Sequence, residues 1–492
     1  MLLLGIDLGT SSVKVSVIDS STQQSIASAQ YPDVESPIKA LQPGWAEQSP
    51  DTWWDQVQKA ILLCHQKGSY NPQDIAAIGI AYQMHGLVVV DKNNKVLRDS
   101  IIWCDSRAVE IGNEAFHSIG EEKCLATFLN SPGNFTASKL AWVKANEPEI
   151  YAKIDKLMLP GDFISLRLTG QATSSVSALS EGVFYDFLKN ELSADILNYF
   201  EFDKDLFPQI DPVFSVHGTV IQTVAESLKL KTGIPVTYKA GDQPNNALSL
   251  NVLKPGEVAA TAGTSGVIYG VSDQLVSDPQ SRVNTFAHVN YATDERRTGV
   301  LLCINGTGSL NRWAKSLFGT GMDYTEMNRL AASAPTGSEG IRMLPFGNGA
   351  ERMLNNKQIG VHLHHIDLNL HTHAHIFRAV QEGIASAFRY GLDIMRENGM
   401  SPSIIRAGAS NLFLSDVFGQ SFVNFTGVPV ELYKNDGSVG AALGAGIGAG
   451  IYSNANDAFT NMMPIKLIEP TENVEHIYDE WRALLTAQLK TT

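Results

Sequence analysis

At 492 residues the chain is too long for one hydrophobic core and fits about two or three domains of ordinary size. With 44% hydrophobic and 18% charged residues it has the makings of a large folded core, and its net charge of −14 disfavours nucleic acid or an anionic membrane as partner, leaving a small molecule. Cys64, Cys104, Cys124 and Cys303 have no paired spacing, which argues against a zinc knuckle or a disulfide framework and for reduced, cytoplasmic thiols.

A strand is expected from the first residues, with no basic-then-apolar leader, so secretion is not expected. Leu2–Ile6, Val13–Ile18 and Ser25–Tyr31 read as a three-strand meander with turns at Asp7–Ser12 and Asp19–Gln24. A helix follows, with Ser49 as its cap, Pro50 at its first position, Asp51 at its positive end and Trp54, Val57 and Ile61 as its apolar stripe. Ile75–Ala81 is a buried strand that runs into Gln83-Met84-His85-Gly86, and open α/β sheets place ligands at such carboxyl ends. Lys139–Asn146 and Glu149–Lys156 read as short helices, and Gly233–Tyr238 as a strand leading to Gly241-Asp242-Gln243-Pro244-Asn245-Asn246. The domain boundary is expected here, giving domains 1–245 and 246–492. Further on, His375–Arg396 has the period of a long helix, and Ile404–Gly408 reads as a strand delivering Ser410–Asn411 to a helix over Leu412–Phe425. Gly437–Asn456 is free of charge for nearly a membrane's width, but its Gly, Ala and Ser content predicts a close-packed helix of a soluble protein.

Two stretches echo one another. Gly5-Ile6-Asp7-Leu8-Gly9-Thr10-Ser11-Ser12-Val13-Lys14 and Ala260-Thr261-Ala262-Gly263-Thr264-Ser265-Gly266 each read as strand, Gly/Thr/Ser turn, strand. Such a turn lines up backbone N–H groups and hydroxyls around a concavity that suits phosphate oxygens, and two of them suggest two lobes gripping one nucleotide. Asp7 beside the first turn is either an Asx-turn aspartate or the place where a hydrated magnesium ion is held, and Lys14 either approaches the phosphates or faces solvent. Asp242 at a strand end between the two turns is the candidate general base, because phosphoryl transfer to an alcohol needs one positioned carboxylate to take the hydroxyl proton. Met84 and His85, with Gln83 and the space left by Gly86, suit a polyhydroxylated substrate with carbon faces. Asp105 and Arg107 in Trp103-Cys104-Asp105-Ser106-Arg107 either pair with each other or meet substrate hydroxyls. The cluster His362, His364, His365, His371, His373 and His375 is not expected to bind metal, since Val361–Leu370 alternates like a strand and sends its histidines to opposite faces.

With these motifs assembled, the whole chain resembles the FGGY-type carbohydrate kinases, and within them the members acting on D-xylulose. The general resemblance rests on Gly5–Lys14, Gly241–Gln243, Thr261–Gly266 and Gly437–Ala445. The narrower one rests on Gln83–Gly86, on Trp45-Ala46-Glu47-Gln48 with Trp53-Trp54, and on Phe135–Leu140 through Glu147–Ile150. It implies an α/β fold of two actin-like (ribonuclease H-like) domains, each with a central mixed sheet, around a deep cleft with sugar at the bottom and ATP at the mouth. Asp242 would deprotonate the 5-hydroxyl, and Met84, His85, Asp242, Gln243 and Asp105 would line the sugar. Thr10, Ser11, Ser12 and Lys14 with Thr264, Ser265, Gly408, Ala409 and Asn411 would bind ATP, and Asp7 would sit by Mg2+. A homodimer is compatible with the chain. Three departures stand out: Gln243 where these kinases often have Asn, Arg406-Ala407-Gly408-Ala409 where Gly-Gly-Gly-Ala is usual, and Leu354 where a proline commonly follows the Glu351-Arg352 pair. The alternatives are a relative acting on ribulose, gluconate or glycerol, and a non-catalytic actin-like ATP-binding module.

Overall fold

The computed structural model describes residues 1–434 and 436–491; Asn435 and Thr492 lie outside them. Two mixed sheets organise the chain, and one five-strand motif builds both. In the first, the order across the sheet is Val236–Gly241, Ile75–Tyr82, Leu2–Leu8, Val13–Asp19, Ser25–Tyr31. The last three form an antiparallel meander, while Ile75–Tyr82 and Val236–Gly241 run parallel to Leu2–Leu8 and to each other. In the second sheet the equivalent order is Val430–Tyr433, Ile404–Gly408, Glu257–Ala262, Gly266–Ser272, Thr298–Ile304, with the same directions. Asn284–Ala287 and Lys466–Ile468 extend it at its two edges to seven strands. The half-and-half pattern expected from the two Gly/Thr/Ser turns is therefore a duplicated sheet.

The central strands are near-continuous apolar runs, such as Ile75-Ala76-Ala77-Ile78-Gly79-Ile80-Ala81, because both faces of each sheet are covered. Each fully buried Ile, Leu or Val adds about 1.5–3 kcal/mol. The helix Pro50–Lys67 starts where expected, with Pro50 at its first position and Trp53, Trp54, Val57 and Ile61 buried. Ser49 occupies the cap position, but its side chain makes no capping hydrogen bond.

Several expected boundaries move. Helix Thr136–Asn146 begins three residues early, and the second short helix stops at Tyr151, because Lys156–Met158 pairs as a strand with Val88–Val90. The strand expected over Gly233–Tyr238 runs Val236–Gly241, and the long helix spans His373–Glu397. The helix expected from Leu412 is split into a 3-10 turn, Asn411–Leu414, and a helix Asp416–Thr426 capped by the Ser415 hydroxyl. The His-rich strand ends at His364, where His365 turns left-handed with φ 63°. Beyond it the ring nitrogens do local work: His371 Nδ1 accepts the Asp367 N–H and His375 Nδ1 accepts the Thr372 N–H, closing a capping box.

The Gly/Ala-rich segment forms the helix Gly437–Gly448, and no helix of the described residues is long and apolar enough to cross a membrane. It follows the second sheet in sequence but packs on the first. A Cβ at Gly5 would overlap the Ser438 carbonyl and one at Gly79 that of Ala441, so only glycine lets this helix lie directly on the strands. The chain then stays with the first lobe through Tyr452, whose hydroxyl donates to Ser20 O at 3.0 Å, before returning at Lys466–Ile468. Packing thus departs from a single division at residue 245: Gly437 to about Asn461 belongs with the first lobe.

Candidate active site

Register places the chemistry. Leu8 pairs with Tyr82, and Tyr82 with Gly241, so three parallel strands end on one line. The turn Gly9–Ser12, the segment Gln83–Gly86 and Asp242 all leave the sheet from that edge.

The first turn is closed by Gly9 N–H donating to Ser12 O at 3.1 Å. Thr10 is held on every side: its hydroxyl donates to Gln83 Oε1 and accepts from Trp103 Nε1, both at 3.0 Å, and its carbonyl accepts from Gln48 Nε2 at 2.8 Å. Ser11 and Lys14 are exposed and Ser12 is half-buried. The second turn is braced from behind by the start of helix Gly308–Phe318. Gly263 O accepts from Gly308 N–H at 2.9 Å and from the Thr307 hydroxyl at 3.0 Å, leaving Thr264 exposed and Ser265 half-buried. In front of this turn lies a cavity of about 340 Å³ whose walls include Gly263, Thr264, Asn311, Arg312, Tyr324 and Asn411. Of the expected nucleotide residues, Thr264 and Asn411 line it. Gly408 and Ala409 stand just before Asn411, where Ala409 N–H donates to Tyr433 O at 2.8 Å. Asn311, Arg312, Tyr324 and Asn328 also line it and were not anticipated, since they come from two helices with no motif of their own.

Asp242 opens the helix Asp242–Ser249, which crosses between the lobes. Asn245 Nδ2 donates to Gly437 O at 2.9 Å, and Asn246 Nδ2 to Thr261 Oγ1 at 3.3 Å. Burial, then the charge of Asp7, raises the Asp242 pKa to about 7, while the main chain and side chain of the half-buried Gln243 pull it back. Asp7 is raised to about 6, first by burial, then by Asp436, against the lowering effect of Lys14. A Cβ at Gly437 would overlap the Asp7 carboxylate, which fixes how closely the start of the Gly437–Gly448 helix approaches it. Carboxylates so crowded form a hard-oxygen, electronegative donor set of the kind that suits a hydrated Mg2+ held by one or two carboxylates and substrate phosphates.

At the inner end His85 takes a left-handed conformation, φ 62°. Its N–H donates to Glu181 Oε1 at 3.3 Å and its Nδ1 lies 3.1 Å from Glu181 O, so a neutral ring keeps its proton there and leaves Nε2 as an acceptor. Burial, with the Lys139 charge behind it, lowers the His85 pKa to about 3. The His85 carbonyl accepts from Lys139 Nζ at 2.8 Å and from the Thr136 hydroxyl at 3.3 Å. Phe135 from one lobe and Phe286 from the other flank the ring at 4.9 and 5.3 Å. Met84 is buried beside Gly241, where a Cβ would meet Met84 Cγ and Glu181 Oε2.

Lys139 and Glu181 are the residues missed at this end. Both are buried, with Lys139 lowered to about 7 and Glu181 pushed well above the carboxylate range by desolvation. A lysine inside an otherwise buried helix face, and a glutamate in the small-residue run Ser177–Gly182, were the available signals.

Asp105 is a correction. It is fully buried, bonded to the Arg107 guanidinium at 2.7 Å and to the Ala46 N–H, while Arg107 stacks 3.7 Å above the Trp45 ring and pairs with Glu47 at 2.8 Å. Of the two readings open for Asp105 and Arg107, they pair with each other, and Asp105 is not free to meet a substrate.

Two matching lobes, each with a Gly/Thr/Ser turn at the cleft, and a carboxylate on the helix that joins them define a phosphotransferase of the sugar-kinase type. The chain matches the family models for the N-terminal domain of the FGGY carbohydrate kinases over residues 2–249 and for the C-terminal domain over 258–451. It belongs to that family, and is a carbohydrate kinase using ATP. It is 30% identical over 469 residues to the xylulose kinase of Escherichia coli K12, covering 94% of this chain and 92% of that one. Among solved structures it is similar to the xyloylose kinase of Brucella ovis, with TM-score 0.89 and 26% identity over the whole of both chains. It also shares its fold with the gluconate kinase of Lactobacillus acidophilus, with TM-score 0.88 and 22% identity over 99% of this chain and 98% of that one.

Proposed function

We propose that this kinase transfers the γ-phosphoryl group of ATP to the 5-hydroxyl of D-xylulose, giving D-xylulose 5-phosphate and ADP, as a cytoplasmic enzyme. The observation that carries the reading is the Asp242 carboxyl, held at about 7 on the strand edge it shares with Met84 and His85. The substrate is inferred from the xylulose kinases it resembles and from Gln83-Met84-His85-Gly86.

In this mechanism His85 Nε2 accepts a hydroxyl hydrogen of the sugar, Met84 packs on its carbon face, and Gln243 lies beside its reacting end. Asp242 takes the proton of the 5-hydroxyl as the oxygen–phosphorus bond forms and the bond to the ADP oxygen breaks, with ADP leaving with the electron pair. A base with a pKa near the working pH is best matched to this step. The two turns, through Thr10, Ser11, Ser12 and Lys14 on one side and Thr264 and Ser265 on the other, hold the phosphates, and Asn411 helps wall the nucleotide cavity. Asp7 would hold Mg2+, which supplies charge neutralisation on the phosphate oxygens. Closure of the lobes, bringing Phe286 onto His85, excludes water as a competing acceptor.

The test is ADP release from Mg-ATP with D-xylulose, L-xylulose, D-ribulose, gluconate, glycerol or no sugar. D-xylulose should give the highest kcat/KM. Preference for another polyol would overturn the substrate, and a rate independent of every sugar would overturn the mechanism.

A further inference from the structure

One wall of the nucleotide cavity runs unbroken from the second Gly/Thr/Ser turn to the start of a helix. At the turn, Asn411 Nδ2 stands beside Gly263, 3.6 Å from where a Cβ would lie. From there the 3-10 turn Asn411–Leu414 carries the wall on to Ser415, which caps the helix Asp416–Thr426. At about 2 Å of rise per residue, Ser415 is about 8 Å further along that wall. A nucleotide holding its phosphates at Thr264 therefore lays its base against Leu412, Leu414 and Ser415. Tyr324 and Asn328, from the helix Tyr324–Ser333, complete the wall at this end.

The amide of Asn328 is set by a buried relay. The Ser415 hydroxyl oxygen accepts the Phe418 N–H as a helix cap, so its own hydrogen has to be given to another group, and it donates to Gln381 Oε1 at 2.8 Å. With that oxygen used, the fully buried Gln381 amide turns its Nε2 the other way and donates to Asn328 Oδ1 at 2.9 Å. A buried hydroxyl hydrogen left without an acceptor would be costly, which fixes the sense of both amides. Asn328 Oδ1 is thus engaged from the protein side, whereas among the described residues no group accepts from its Nδ2. Asn328 lines the cavity as a hydrogen-bond donor.

We propose that Asn328 selects the nucleobase, its Nδ2 donating a hydrogen bond to N1 of adenine. N1 lies on the edge of the purine furthest from the glycosidic bond, so it is the edge that reaches the end of the cavity away from the phosphates. Adenine has an acceptor there. Guanine and hypoxanthine carry an N1–H, which would set donor against donor, so the preference comes from a mismatch with the wrong base as well as a bond to the right one. The exposed Tyr324 ring and Leu414 supply apolar faces that any base can use and do not discriminate. The inference rests on the reading of this cavity as the ATP site, and not on the identity of the sugar or on Asp242.

The test is calorimetric binding of ADP, 1-deaza-ADP, 7-deaza-ADP and IDP, with Mg2+, to the full chain as wild type, Asn328→Ala and Asn328→Asp. Wild type should bind 1-deaza-ADP about five- to tenfold more weakly than ADP, the loss of one hydrogen bond, and 7-deaza-ADP nearly as well as ADP. Asn328→Ala should lose that discrimination and bind ADP and 1-deaza-ADP alike. Asn328→Asp can still accept from Gln381 Nε2, which keeps the relay, but it turns an acceptor toward N1. Its ratio of ADP to IDP affinity should fall at least about tenfold below that of wild type. A side chain that mattered only for packing would weaken all four nucleotides equally. Equal binding of ADP and 1-deaza-ADP by wild type, the wild-type ratio in Asn328→Ala, a larger loss with 7-deaza-ADP, or no binding of ADP at all would each overturn the proposal. The expected ratios without any sugar-stimulated turnover would support it and count against the kinase mechanism alone.

Discussion

Replacing Asp242 by asparagine should separate stability from activity. In the free enzyme burial and Asp7 raise this carboxyl from 3.8 to about 7. At about 1.36 kcal/mol per tenfold, ionising it inside the fold costs about 4 kcal/mol more than in the unfolded chain. The sign follows from proton binding: between 3.8 and about 7 the folded state holds a proton that the unfolded state has released. The carboxyl's cost is therefore absent below 3.8, grows as pH rises through that window, and is complete above about 7. Asparagine has no such term. Because part of the side chain reaches solvent, screening reduces the bound, and a gain of about 1–3 kcal/mol for Asp242→Asn near pH 8 is expected. The assay is urea unfolding of the ligand-free protein at about pH 5 and pH 8, with kcat measured on the same samples. The variant should draw ahead of wild type as pH rises while losing about 10²–10⁴-fold in kcat. A stability difference that does not change with pH, or a variant less stable than wild type at pH 8, would refute the burial reasoning. Undiminished kcat would refute the base.

His85→Ala should raise the sugar KM by about tenfold or more with a smaller effect on ATP, since one well-placed hydrogen bond is worth about 1.5 kcal/mol; an unchanged KM removes His85 from the pocket. Gly79→Ala should destabilise the first lobe by at least about 1–3 kcal/mol, because the new methyl group meets the Ala441 backbone rather than a movable side chain. A melting temperature equal to wild type would mean that the Gly437–Gly448 helix is not seated as described.

The motifs of the cleft were legible because each combines a strand end with a turn of restricted chemistry. Gly9-Thr10-Ser11-Ser12, Gly263-Thr264-Ser265 and Gly241-Asp242 need small residues where the backbone bends, and the strands before them are strongly apolar. What sequence did not disclose is pairing. Asp105 and Arg107 were balanced between two readings, and only the position of Trp45 and Ala46, about sixty residues earlier, closes them on each other. Glu181 and Lys139 escaped because nothing in a linear reading says that a helix end near residue 181 comes under residue 85. The boundary at 245 followed the duplication in the sequence, whereas the Gly437–Gly448 helix crosses back to the first sheet, a long-range contact that periodicity does not encode.

Buried carboxylates are left uncompensated at the cleft. Ion pairs elsewhere in the interior are closed: Lys239 with Asp162 at 2.6 Å, and Arg98 with Glu47 at 2.6 Å. Around the cleft the opposite holds. Asp7 and Asp242 repel each other across the strand edge, and Glu181 has an oxygen with no donor. Each arrangement weakens the empty fold, and on the proposed mechanism a divalent cation would relieve Asp7 and the substrate's hydroxyl proton would relieve Asp242. If that correspondence is right, ligands should stabilise this protein together more than the sum of their separate effects, because opposite charges enter the same low-dielectric space. Melting curves with Mg-ADP, with sugar and with both would measure it, and simple additivity of the two shifts would count against a shared, uncompensated cleft.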